Sequence, residues 1–257
     1  MNHVPKPTAA QDSVWLDRLN QVLSSPASDP HKKSEPDKKV PRRLSRRTAL
    51  AALVGGGAAT AGVLATAGTA SAAAAKVDDA SAFTQLLVHE ASHSKYLVQA
   101  LGNNARPAPT FRNLEQPSFT QFALVSQILE NTGTGAYLGA APFISDRGVL
   151  AAAGSILAVE ARHSGWLNNA LGNPIDAGVY DLKQDRSFED PLTPAQVAGV
   201  GDYFIASLNG GPAATYSQTP SAANDVAILN FALVLELLEY QFYLVNVPKF
   251  FGSGATR

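Results

Sequence analysis

The 257-residue chain contains no cysteine, which excludes disulfide bonds and metal sites built on thiolates. Positive charge is scarce beyond the N-terminal segment. Residues 1–47 carry ten Lys and Arg against five Asp and Glu, whereas residues 48–257 carry ten against sixteen. The net charge of −1 therefore combines a basic leader with an acidic body. An acidic body argues against nucleic acid as a partner.

Charged residues are also absent from Thr48 to Ala75, a run that directly follows a Ser-Arg-Arg motif at 45–47. The run is rich in Ala and Gly and ends in sites of the A-x-A type. It resembles a twin-arginine export signal, which predicts transient membrane contact and cleavage near 72–75. The predicted location is periplasmic, cell-envelope or extracellular. An uncleaved transmembrane anchor is the alternative, but so few Leu and Val disfavour it.

These features divide the chain into three parts. Residues 1–47 are predicted to be a disordered basic leader that carries the twin-Arg motif. Residues 48–75 form the apolar signal and its cleavage region. Residues 76–257 are long enough to bury a single core and form the folded domain.

Apolar residues in the folded domain recur with the period of a helix in four long segments. Residues typical of helix starts and stops bound them: Asp78 or Asp79 to Gly102, Pro117 to Pro142, Ser145 to Gly172, and Asn224 or Asp225 to Pro248. A short helix near 194–208, capped by Thr193, interrupts a Pro- and Gly-rich stretch. No strand is predicted, so the fold class is all-α, a four-helix bundle.

The first and third segments nearly repeat each other. Residues 88–102 and 158–172 are identical at eight of fifteen positions, and both contain Glu-Ala-x-His-Ser. The spacing places Glu90 with His93, and Glu160 with His163, on the apolar face of each helix. Glu130 and Glu236 fall on the apolar faces of the other two helices, with Glu239 as an alternative to Glu236.

Four buried carboxylates need positive charge among them, because an unpaired buried carboxylate costs several kcal/mol or stays protonated. Lys95 and Arg162 are the nearest basic residues in sequence, and both lie on helix flanks. Carboxylates and imidazoles suit divalent first-row ions, and this pattern is expected of a carboxylate-bridged di-metal site. The predicted ligands of two ions, iron preferred and manganese as the alternative, are Glu90, His93, Glu130, Glu160, His163 and Glu236.

One Glu-x-x-His alone would more often be structural; the two matching copies and two further carboxylates carry the prediction. Three other polar residues are assigned no ligand role. Tyr137 and Tyr243 lie seven residues after Glu130 and Glu236, and packing is favoured over hydrogen bonding to the ligands. His89 precedes Glu90 and is expected to point away from the site face, either as a surface residue or as one that contacts a ligand from outside.

The sequence resembles the ferritin-like superfamily, and within it the ferritin-like proteins described as desiccation- or stress-related. The resemblance rests on "HEASHSKYLVQALG", "LENTGTGAYLGAAP", "VEARHSGWLNNALG", "FEDPLTPAQV" and "DVAILNFALVLELLEYQFY". It implies the same six ligands, but it implies no particular reaction.

The segment that resembles the first helix of that family stands last in this chain. The resemblance therefore implies a circularly permuted order. It predicts that Val247 and Asp78 lie at the same end of the bundle. The last helix should run antiparallel to the first, with Glu236 facing Glu90.

Two classes of function follow, and a third is weaker. The first is an exported di-metal protein that uses O2 or peroxide, or oxidises metal, in stress protection; a di-iron oxidase, a ferroxidase and a manganese-catalase-like enzyme are its variants. The second is a non-enzymatic structural or protective envelope protein. The third is an iron-storage cage, and a homo-oligomer is left open.

Overall fold

A computed structural model describes residues 79–181 and 183–253; the leader, the signal segment and Asp78 lie outside them. Five α-helices and two short strands make up this part of the chain. The helices are α1 (Asp79–Leu101), α2 (Phe119–Ala140), α3 (Arg147–Ala170), α4 (Pro194–Phe204) and α5 (Ala222–Phe251). The strands, β1 (Thr110–Phe111) and β2 (Ile205–Ser207), pair antiparallel. The predicted helical fold and all five predicted helices are confirmed, whereas the expectation of no strand was wrong.

The starts of two helices differ from the prediction. Asp146, not Ser145, caps α3 by accepting a hydrogen bond from the backbone of Val149. Ser221, not Asn224 or Asp225, caps α5. The reason is a tertiary contact, because the carboxylate of Asp225 accepts hydrogen bonds from both the backbone and the hydroxyl of Ser145, each 2.7 Å long. This contact ties the starts of α3 and α5 together.

The last helix does not end at Pro248, as predicted, but continues to Phe251. Proline lacks the N–H that would reach the preceding turn, which disfavours a helix interior. Aromatic packing supports the extra turn. Phe250 stacks on Phe122 with ring centroids 5.4 Å apart, and Phe251 stacks on Phe83 at 5.6 Å. The stacking of these half-buried rings helps to offset the lost backbone bond.

The contacts at the helix ends fix the helix directions. Phe83 near the start of α1 meets Phe251 at the end of α5, so these two neighbours are antiparallel. Asn246 near the end of α5 bonds to Gln116 just before α2, so α2 and α5 are antiparallel too. A short link makes α2 and α3 antiparallel neighbours. Residues 102–118 and 171–221 form the two long crossovers.

The start of the first helix and the end of the last helix therefore lie at the same end of the bundle. Ala80 and Val247 line one surface cavity there, whereas Asp78 itself lies outside the described residues. The antiparallel pairing of the first and last helices matches the predicted topology. The circular permutation itself stays a prediction.

One described helix, α5, is long and apolar enough to cross a membrane by length and composition. Of its most apolar window, 72% is buried inside the bundle. It packs against α1 and α2, which accounts for its being apolar on nearly every side. We therefore interpret α5 as a buried core helix of the bundle.

Candidate metal centre

The four predicted glutamates converge in the middle of the bundle, one from each long helix. Glu90, Glu130 and Glu160 are fully buried, and Glu236 is 1% exposed. Their positions on the apolar faces are confirmed. Among the described residues, no Lys or Arg forms an ion pair with any of them; their ion-pair partners are His93 and His163.

The first cluster surrounds Nδ1 of His93. Three carboxylate oxygens lie around this nitrogen: Glu160 Oε1 at 3.1 Å, Glu90 Oε2 at 3.2 Å and Glu236 Oε2 at 3.3 Å. A ring nitrogen carries one hydrogen at most, so it cannot serve three oxygens at once. Each of the four residues offers one donor atom within 4.8 Å of the others, which is compatible with one shared metal ion.

The second cluster surrounds Nδ1 of His163. Glu130 Oε2 lies 3.0 Å away, Glu90 Oε1 3.1 Å and Glu160 Oε2 4.0 Å. These four residues again offer one donor atom each within 4.8 Å of one another. We call the two clusters the His93 position and the His163 position.

The two positions share Glu90 and Glu160. Each of these carboxylates gives one oxygen to the His93 position and the other to the His163 position. Glu236 and Glu130 each belong to one position only. The carboxylates of the two Glu-x-x-His motifs are therefore placed to bridge, and the carboxylates that lack a motif histidine are placed at the ends.

Glu239, the alternative to Glu236, belongs to neither position. It is nevertheless buried, and the missing side chain of Gly133 leaves room for it beside Glu160. A Cβ at Gly133 would lie 3.2 Å from Glu160 Oε2 and 3.4 Å from Glu239 Oε1. Glu239 also lines a small cavity between α2, α4 and α5.

The clusters hold both imidazoles in the charged form when no metal neutralises the carboxylates. Burial opposes a charged His93, but the carboxylates of Glu160, Glu236 and Glu90 around its Nδ1 outweigh burial and raise its pKa to about 12. Burial likewise opposes a charged His163, but Glu130 and Glu90 raise its pKa to about 11. The centre thus attracts positive charge strongly.

The pKa values of the carboxylates shift in opposite directions. Burial and the neighbouring carboxylates Glu90, Glu130 and Glu236 raise the pKa of Glu160 well above its ordinary value. Burial raises the pKa of Glu236 to about 8 despite the nearby His93, which acts in the opposite direction. Glu90 is also buried, but the nearby imidazoles of His163 and His93 hold its pKa down at about 2.

Four buried oxygens in the centre lack a hydrogen-bond partner in the described part of the chain: Glu90 Oε1, Glu160 Oε1, Glu160 Oε2 and Glu236 Oε2. Buried polar atoms without partners are rare in native proteins and point to an unseen ion or water. These oxygens are among those that converge on the two ring nitrogens. The residues present therefore fit a pair of divalent cations.

The sequence predicts that Tyr137 and Tyr243 are packing residues, but both donate hydrogen bonds to the centre. The hydroxyl of Tyr137 donates to Glu236 Oε1, and that of Tyr243 donates to Glu130 Oε1, both at 2.6 Å. Each tyrosine serves the glutamate of the opposite helix, because α2 and α5 run antiparallel. The shared spacing of seven residues was the signal that could have revealed them.

His89 also differs from the prediction, because it points toward the site. Its Nδ1 lies 2.9 Å from Nε2 of His163. The sequence left two roles open for it, a surface residue or a residue that supports a ligand, because it falls beside the inward face of α1. Its partner lies on another helix, 74 positions away, and no local spacing links the two.

A family model described as a ferritin-like domain matches residues 49–173. The match begins inside the predicted signal run and spans α1, α2 and α3, so it includes five of the six predicted ligands but not Glu236 on α5. No curated protein and no solved structure matches the chain at a significant level. The family match and the buried carboxylate–histidine centre together support the ferritin-like superfamily.

Proposed function

We propose that this chain is an exported ferritin-like protein that holds two divalent metal ions, iron in preference to manganese. The proposed reaction class is reduction of O2 or peroxide, or metal oxidation, in protection against stress. One observation carries the proposal above the others. Glu90 and Glu160 each present one oxygen to the His93 position and the other oxygen to the His163 position, which is what a bridged pair of ions needs.

The proposed ligand sets follow from the two clusters. Glu130 and His163 would hold one ion, Glu236 and His93 would hold the other, and Glu90 and Glu160 would bridge them. Four carboxylates and two neutral imidazoles balance the four charges of two divalent ions. When bound, two adjacent ions of this kind can supply two electrons to a small oxidant.

The residues around the centre define what can reach it. Because three of the glutamates are fully buried, a bulky substrate cannot contact them. The side chain of His93 keeps 12% of its surface exposed. A small oxidant is therefore the substrate class that fits. Tyr137 and Tyr243 hold the outer oxygens of Glu236 and Glu130, which leaves the other oxygens free to face the ions.

Export and a protective role rest on the sequence. The Ser-Arg-Arg motif at 45–47 and the uncharged run that follows support a twin-arginine route, which carries folded proteins. A protein that is metallated before export would acquire its metal in the cytoplasm. The resemblance to desiccation- or stress-related proteins supports the protective role.

A non-enzymatic structural or protective envelope protein is the second candidate. It is favoured by the ion pairs of the centre, because charged His93 and His163 together contact all four carboxylates without a metal. Such a network could hold the four helices together by itself.

Metal analysis followed by assays of O2 and H2O2 consumption separates the two candidates. The purified protein, loaded with Fe(II) or Mn(II) under argon, should hold close to two ions per chain and consume one of the oxidants. Two bound ions with neither oxidant consumed would favour the structural candidate. Failure to bind either metal would eliminate the di-metal proposal.

A further inference from the structure

The two metal positions differ in how their histidines are supported. Nε2 of His163 lies 2.9 Å from Nδ1 of His89, whereas within residues 79–181 and 183–253 no hydrogen bond reaches Nε2 of His93. The terminal carboxylates of the two positions are matched, although Glu160 lies 3.1 Å from Nδ1 of His93 and 4.0 Å from Nδ1 of His163. Each has one terminal glutamate, and each terminal glutamate accepts a 2.6 Å bond from a tyrosine. His89 therefore makes the support of the two histidines asymmetric.

The contact between the two rings is an in-plane hydrogen bond. The ring planes are inclined by only 9°, and the centroids are 5.1 Å apart. The nitrogens approach to 2.9 Å, much closer than the centroids, so the rings meet edge to edge rather than face to face. The lone pair of an imidazole nitrogen lies in the ring plane, so this arrangement suits an N–H···N bond.

The direction of the bond follows from the chemistry of ligation. His163 presents Nδ1 to the carboxylates of its cluster, so a metal there needs the lone pair of Nδ1. A neutral imidazole that binds through Nδ1 carries its hydrogen on Nε2. His163 must then donate from Nε2, and Nδ1 of His89 must accept.

We propose that His89 is a positioning residue that fixes the tautomer and ring orientation of His163, so that the His163 position binds its metal ion first and more tightly. This inference rests on the proposed di-metal function. The usual partner of a metal-binding histidine is a carboxylate, a backbone carbonyl or water. Here a half-buried imidazole takes that place, one residue before the bridging Glu90. Loss of such a partner typically weakens metal binding by about 10–100-fold.

Titration of the metal-free protein with Co(II) tests this, with the visible spectrum and calorimetry as readouts. The wild-type protein should bind two ions in two resolved steps. His89→Phe should weaken the first step by about 10–100-fold and leave the second within about threefold. His89→Asn keeps an acceptor near the same place and should restore most of the affinity. Ser92→Ala, an exposed change on the same helix, is the matched control and should match wild type.

His93→Phe provides the opposite case. It removes a ligand of the other position, so it should abolish the weaker step and keep the tight one. Nitrogen-15 correlation spectra of the Zn(II)-loaded protein report which ring nitrogen of His163 carries the hydrogen. This property would not change if His89 were only a packing residue. The His163 ring should carry its hydrogen on Nε2, and His89→Phe should speed the exchange of that hydrogen with water.

The outcomes separate the inference from the function on which it rests. If wild type binds no pair of ions, the di-metal function fails. If it binds two ions but His89→Phe, checked as folded by circular dichroism, keeps both wild-type affinities, the role of His89 is overturned. Loss of the tight step in His93→Phe would also overturn the assigned order. If His89→Phe does not fold, His89→Asn is the test. In that variant the signal of the His163 Nε2 hydrogen and the affinity for the first ion must both resemble wild type.

Discussion

Tyr137 donates a 2.6 Å hydrogen bond to Glu236, a residue 99 positions further along the chain. The mirror contact joins Tyr243 to Glu130 at the same distance. The two contacts cross between α2 and α5, so neither tyrosine serves the glutamate of its own helix. This crossed pair locks the register of the two helices and orients the outer oxygen of each terminal carboxylate.

Removal of one hydroxyl should destabilise both the fold and one metal position. Tyr137→Phe leaves Glu236 Oε1 buried without its donor, which costs about 1–3 kcal/mol. Urea unfolding of the metal-free protein should show that loss, and Co(II) titration should show weaker binding at the His93 position. Tyr96→Phe is the control, because Tyr96 is 46% exposed. Equal stability of the two variants would contradict the assignment.

Glutamine substitutions should distinguish bridging from terminal glutamates, since each keeps the shape of the side chain and removes one charge. Glu160→Gln alters a residue of both positions and should reduce binding to below one ion per chain. Glu236→Gln should leave about one ion, held at the His163 position. Metal content after gel filtration measures both effects.

The same experiment decides between Glu236 and Glu239. Because Glu239 belongs to neither position, Glu239→Gln should retain two ions. Glu115→Gln, which changes an exposed residue paired with Lys249, is the control. Loss of one ion from Glu239→Gln with none lost from Glu236→Gln would reverse the assignment.

The metal-free protein should lose stability as the pH rises. A group whose pKa is higher in the folded state binds protons more tightly there, so raising the pH favours unfolding. The pKa of Glu236 rises from 4.5 to about 8, and that of His163 from 6.5 to about 11. The melting temperature should fall by at least about 5 °C between pH 6 and pH 9. The pKa of Glu90 is lowered to about 2, so this residue makes the stability rise with pH, but only below about pH 4.5.

Bound metal should suppress that loss, because the ions require deprotonated ligands and their affinity rises with pH. Differential scanning calorimetry of the metal-free and metal-loaded protein at both pH values provides the measurement. A metal-free protein that becomes more stable from pH 6 to pH 9 would show that the centre is not protonated as described.

Two helical glycines should respond to alanine in opposite directions. A Cβ at Gly139 would overlap the backbone oxygen of Leu192, so Gly139→Ala must push the crossover away from α2. Its melting temperature should fall by several degrees. Gly154, inside α3, meets nothing within 4 Å. Gly154→Ala should therefore stabilise the protein by up to about 1 kcal/mol. A neutral Gly139→Ala would contradict the described packing of the crossover.

The export proposal predicts that Arg46 and Arg47 are both needed. Their change to Lys should leave the protein in the cytoplasm with its leader attached, as fractionation and intact mass would show. Export of the Lys-Lys variant at the wild-type level would indicate another route. An exported protein that keeps its full mass would instead favour the anchor.

The sequence by itself determined the four long helices and the inward side of each. A period of 3.6 places Glu90 with His93, and Glu160 with His163, on one face, and this depends only on local geometry. A buried carboxylate demands compensation, so the prediction of a polar centre followed from those faces. Both are properties of a single helix, and the structure confirms them.

Only the tertiary structure decided how the helices share the centre. The directions and register of the helices fix which oxygens converge. As a result, Glu90 and Glu160 are shared by the His93 and His163 positions, whereas Glu239 belongs to neither. The same holds for three contacts between distant residues: the bond that Tyr137 donates to Glu236, the contact between His163 and His89, and the bond that Ser145 donates to Asp225. Each joins residues at least 74 positions apart, and local spacing carries no information about partners on another helix.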